Sequence, residues 1–145
     1  MKKILLLFAI GFIFCSSHLT AQSKMAIGYI YEKMSGDCGQ FNTAKGYRYQ
    51  YSSNSSSTLG ELRQKVTDDL ANYYSLSKNN VMVFTSAKPY GCVISYRKKI
   101  SGYDCTTFSY AISFGDTDSE ARQNAIKEMR LYYNGDSYTV ETIVH

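Results

Sequence analysis

Histidine is nearly missing from this sequence. There are two in 145 residues, with a single proline and no tryptophan. His18 falls in a leader-like segment, and His145 is the last residue. A Ser-His or Cys-His pair therefore has no interior base, which excludes the common hydrolase triads. The same shortage excludes the usual zinc sites, because Cys38, Cys92 and Cys105 are far apart and lack ligand spacing. No G-x-x-x-x-G-K-[ST] or G-x-G-x-x-G motif is present, so no loop is laid out for a phosphate or a dinucleotide. These absences imply neither cofactor nor metal, and they argue against an enzyme. A long charge block is also lacking, and the ordinary apolar fraction of 44% reads as one globular domain.

The start of the chain carries an address. Lys2 and Lys3 precede an apolar run over residues 4–14, and Leu19-Thr20-Ala21 follows. This three-part pattern is that of a secretory signal peptide covering residues 1–21, with cleavage after Ala21. The apolar run is about half the ~20 residues that span a bilayer, which disfavours an anchor. Phe14 before Cys15 disfavours lipidation, which wants a small residue there. Removing this leader leaves 22–145 as a single exported domain, periplasmic or secreted, and lowers the formal net charge from +4 to +2. That balance is too weak for a nucleic-acid footprint. No second apolar stretch reaches membrane-spanning length. Export favours oxidation, so Cys38, Cys92 and Cys105 are expected to give one disulfide and one free thiol.

What the sequence does have is self-similarity. Residues 58–74 align without a gap on residues 117–133 at an offset of 59, with six of 17 positions identical. Asp37-Cys38 recurs as Asp104-Cys105, each just after a Ser-Gly turn. Two repeats follow, about 25–85 and 91–144, each reading strand, strand, helix, strand. Thr58 with Glu61, and Thr117 with Glu120, are capping boxes at the helix starts. Leu59, Leu62, Val66, Leu70 and Tyr73 form one helical stripe, and Ala121, Ala125, Met129 and Tyr132 form its counterpart. Asn134-Gly135 is the expected end of the second helix.

Period-two alternation marks the strands. Tyr47, Tyr49 and Tyr51 alternate with Arg48 and Gln50, and Phe108, Tyr110, Ile112 and Phe114 alternate with small residues. Ile27, Tyr29 and Tyr31 align with Cys92, Ile94 and Tyr96 as a large-residue face for the helices to cover. The opposite face, with Ala26, Gly28, Gly46, Ser95, Ser109, Ala111 and Ser113, is small, flat and only mildly polar apart from Ile30 and Val93. The expected fold is α+β, a duplicated β-β-α-β unit giving a six-stranded, largely antiparallel sheet with both helices on one face.

Gly28-Tyr29-Ile30-Tyr31, Cys92-Val93-Ile94-Ser95-Tyr96 and Gly115-Asp116-Thr117-x-x-Glu120-Ala121-x-x-x-Ala125 together resemble a family of small exported bacterial domains of unknown function. Its mark is a T-x-x-E-A-x-x-x-A helix. The resemblance covers nearly all of residues 25–144 and implies no activity. The helices here lack the terminal cysteine common in that family, and Gly60 and Leu62 stand where alanines are usual.

Little is left that could carry chemistry. Asp68 and Asp69 are adjacent on a helix and diverge by roughly 100°. Asp116 and Asp118 bracket a cap, where carboxylates favour the helix N-terminus. A carboxylate beside Cys38 or Cys105 suppresses the thiolate, so a disulfide is the better reading than a nucleophile. Cys38–Cys105 is one pairing, and a bridge from Cys92 is its rival. Most of the 14 tyrosines alternate toward the covered face, while Tyr90, Tyr103 and Tyr138 lie nearer loops and are contact candidates. The expectation is a non-enzymatic binding, interaction or inhibitor module of the bacterial envelope or extracellular space. Its partner, a protein or a glycan, would meet the flat face of Ala26, Gly28, Ser95, Ser109, Ala111 and Ser113. An envelope enzyme acting on glycan or peptidoglycan through paired carboxylates, and a structural or assembly component, are the alternatives.

Overall fold

The computed structural model describes residues 23–144, so the leader lies outside the described residues. The order is β1 (Lys24–Lys33), β2 (Asn42–Ser52), α1 (Leu59–Tyr74), β3 (Val81–Ser86), β4 (Tyr90–Lys99), β5 (Thr106–Gly115), α2 (Asp118–Arg130) and β6 (Tyr138–Val144). Each half therefore runs β-β-α-β. All pairings are antiparallel, in two three-stranded sheets ordered β2-β1-β3 and β5-β4-β6. The first strand of each half is central, and the third strand returns to its own half.

The helix starts follow from their caps. Thr58 Oγ1 accepts from the Glu61 amide at 3.1 Å, and Glu61 Oε2 accepts from the Thr58 amide at 2.8 Å. Thr117 Oγ1 likewise accepts from the Glu120 amide at 3.1 Å. There, however, Glu120 Oε2 takes the Asp116 amide, one residue earlier than in a standard box. Lys88 Nζ holds the other Glu120 oxygen at 2.8 Å. The second helix stops at Arg130, short of Asn134-Gly135. Tyr132 and Tyr133 still donate their amides to the Met129 carbonyl, which closes its last turn.

The expected single sheet is instead two, stacked face to face with one helix on each outer surface. Both central strands are apolar on both faces, so each sheet must be covered twice. On its outer face the first sheet buries Ala26 and Ile30 against Leu62, Val66 and Leu70 of α1. Its inner face packs Met25 and Ile27 on Val93, Ile112 and Ile143 of the second sheet. The second sheet's outer face packs Cys92, Ile94, Tyr96 and Ala111 on Ala121, Ala125 and Met129 of α2.

Two glycines set the closeness of these layers. A Cβ on Gly28 would sit 2.8 Å from the Met82 carbonyl oxygen and 2.9 Å from Val66 Cγ1, so α1 reaches the sheet only because none is there. At Gly91 a Cβ would lie 2.7 Å from Met25 Sδ across the inter-sheet space.

This arrangement corrects the expected partner face. Ala26 and Gly28 lie under α1, because small residues there admit the helix while Met25 and Ile27 fill the inter-sheet space. Ser109, Ala111 and Ser113 pair with Tyr96, Ile94 and Cys92, and cross-strand partners share a face. They therefore lie on the α2 side, with Ala111 buried there. Ser95 alternates to the inner face. The six residues do not form one exposed surface.

The halves are tied at one corner. Cys38 and Cys105 form a disulfide with Cα atoms 6.1 Å apart, and Cys92 is a buried free thiol. Beside it Thr107 Oγ1 donates to the Asn42 carbonyl at 2.7 Å, and the Phe108 amide donates to Thr43 Oγ1 at 3.0 Å.

Candidate functional site

Away from that corner the two sheets are out of step, and the offset opens a groove. Ile27 faces Phe84 and Tyr29 faces Met82 across the β1–β3 ladder, so all four point inward toward the second sheet. The second sheet ends at β5. Tyr29, Met82 and Phe84 overhang that edge and floor a groove of about 530 Å³. The edge of β5 at Tyr110 and Ile112 forms one wall. Tyr96, Lys98, Glu128 and Tyr132, from the outer side of the second sheet and the end of α2, form the other. A further volume of about 300 Å³ continues past Tyr29 and Met82 to Tyr31, Thr43 and Phe108.

The lining is aromatic and open. Phe84 is 37% exposed, Met82 44% and Tyr132 60%, which is unusual for large apolar side chains gathered in one place. The Tyr29 ring lies 6.4 Å from Phe84 and 5.8 Å from Tyr110, and its hydroxyl donates to Met82 Sδ at 3.1 Å. Burial pushes the Tyr29 hydroxyl above its ordinary value, and pushes Tyr110 up to about 12. Both phenols are thus neutral at physiological pH and able to donate. Lys98 Nζ sits 5.9 Å over the Tyr132 ring. Glu128 has no ion-pair partner among the described residues. It is the only carboxylate on this lining, so the groove holds no carboxylate pair of the kind glycoside hydrolysis uses.

Other sequence candidates fall elsewhere. Tyr103 packs edge-on against Phe41 at 4.9 Å, and Tyr90 and Tyr138 pack on the α2 core. None of the three lines the groove. Asp118 pairs with Arg122 at 3.0 Å, and Asp116 with Lys88 at 3.0 Å, as surface helix-start pairs. Asp68 hydrogen-bonds Gln64 and pairs with Lys78, whose ammonium holds its carboxyl below the usual range. Asp69 accepts from Gln50. Burial pushes the Cys92 thiol up to about 11, which leaves it unreactive. No three His, Cys, Asp or Glu side chains gather as metal ligands among the described residues.

Met82 and Phe84 were not flagged by the sequence. They alternate with Val81 and Val83, so β3 is apolar on both faces and looks like any buried strand. The available signal was its place at a sheet edge, which only the topology reveals. No family model, curated protein or solved structure matches the chain. The family resemblance therefore rests on the quoted motifs alone. No described helix is long and apolar enough to cross a membrane.

Proposed function

We propose that this chain is an exported, non-catalytic binding module of the envelope or extracellular space, built from a duplicated β-β-α-β unit, with the groove beside β5 as its ligand site. The carrying observation is the exposed floor of Tyr29, Met82 and Phe84, closed on one side by Tyr132 and Lys98. A soluble domain leaves such a patch uncovered chiefly where something binds. The Cys38–Cys105 bridge supports an oxidising compartment and, with it, the leader reading. The matching strand orders of the halves support the duplication.

The test is nuclear magnetic resonance of the isotope-labelled protein against a panel of oligosaccharides, aromatic fragments and short peptides. Ligands should shift the signals of Tyr29, Met82, Phe84 and Tyr132 together. Phe84→Lys, a surface change that leaves the inter-sheet core intact, should abolish those shifts. Shifts confined to other surfaces, or none across the panel, would overturn this assignment.

A further inference from the structure

The groove's polar lining is backbone, and its geometry names an occupant. Within an antiparallel ladder, a residue's N–H and C=O point to the same side, and successive residues alternate. The Phe108 amide points away from β4, since it donates to Thr43 Oγ1. The Phe114 carbonyl also points away from β4, since it accepts from Asn124 Nδ2 at 3.1 Å. The β4–β5 register runs without a shift between them. Tyr110 and Ile112 must therefore also direct their N–H and C=O groups outward, into the groove. No hydrogen bond from a described residue reaches these four groups. At ~3.4 Å per residue the open edge between the two plugs spans roughly 20 Å, the length of five or six extended residues.

Taking the groove as the binding site, as above, we propose that its occupant is an extended peptide strand from a partner protein, added to the second sheet along Tyr110 and Ile112. A strand there continues the order β6-β4-β5 and fills the place over which the first sheet already projects. Its alternate side chains meet two different surfaces. Those on one face rest on Met82, Phe84 and Tyr29 and should be apolar or aromatic. Those on the other face meet Lys98, Glu128 and Tyr132 and should be polar or charged. Main-chain hydrogen bonds then supply affinity and the two surfaces supply the sequence preference. A glycan could stack on the rings, but it would leave the outward amides and carbonyls of an edge without their matching partners.

The experiment is selection of displayed random heptapeptides on the full-length protein as exported and processed by an expression host. Amide hydrogen exchange on the best synthetic binder follows. Selected peptides should alternate apolar and polar residues, and their binding should slow exchange at the Tyr110 and Ile112 amides. Methylating the backbone nitrogens on the binder's hydrogen-bonding side should weaken it more than tenfold, with the protein left untouched. Peptides that shift the groove rings without slowing those amides would overturn strand addition and leave the groove standing. Saccharides that bind there while no peptide is enriched would do likewise. Slowed exchange that grows with protein concentration alone would make a second copy the occupant and overturn the peptide. No binder of any class in the groove would remove both proposals.

Discussion

Replacing Cys38 and Cys105 together by alanine opens a covalent loop that closes over 67 residues. On the chain-entropy account, releasing a loop of that size frees about 4 kcal/mol of unfolded-state entropy at 25 °C. The folded corner has other ties, the bonds from Thr107 to Asn42 and from Phe108 to Thr43, so the native state should change little. The loss therefore falls almost wholly on the stability difference. Residues 23–144 unfold with an entropy on the order of 0.26 kcal/mol per kelvin, from ~2.1 cal/mol/K per residue. A 4 kcal/mol loss thus lowers the Tm by roughly 15 °C. Urea unfolding of both proteins, followed by near-ultraviolet circular dichroism, is the assay. The double variant should keep the native spectrum, lose about 4 kcal/mol, and unfold with a larger m-value because its denatured chain is more expanded. A loss under about 1 kcal/mol, or an altered native spectrum, would refute the reasoning. The first would mean that the unfolded chain gains no freedom, and the second that the bridge shapes the fold.

Three further outcomes test the layers and their titration. Gly28→Val should cost about 1–3 kcal/mol or more by forcing α1 off the sheet, measured by thermal melting, and a neutral effect would show that the helix is not held close there. Alkali should weaken the fold as the unfolded chain ionises first. The contributions of Tyr110 and Cys92 are intact below their unfolded values of 10.0 and 9.0, and are lost as pH rises toward about 12 and about 11. Urea midpoints across that range check this, and a flat profile would contradict the burial of both groups. At neutral pH a maleimide should label Cys92 only once the protein is unfolded.

The legible parts of the fold were those in which one residue type does one job. Thr58 and Thr117 could only be caps, and the Leu62, Val66, Leu70 spacing could only be a helix face. The strands were legible as strands from alternation. Their facing was not, because period two identifies an inside face only when the other face is wet. In β1 both Ile27 and Ile30 are fully buried, on opposite sides. The sequence therefore contains two apolar faces and no sign of which meets a helix. The same ambiguity hid the split into two sheets. It hid the groove as well, since Phe84 reads as core until its overhang beyond β5 is seen.

The helix-facing cores are each contained within one half, residues 26–83 for α1 and residues 90–140 for α2, while a smaller cluster joins the sheets. The described residues hold three cysteines, which allow three bridges, and a wrong one would trap a misassembled chain. Cys92 is fully buried beneath α2, inside a core its own half can complete before the halves meet. The competing thiol is thus hidden by contacts local to its own half. A second half that packs α2 before meeting the first would leave only Cys38 and Cys105 within reach of an oxidant, so burial of Cys92 favours the bridge that is seen.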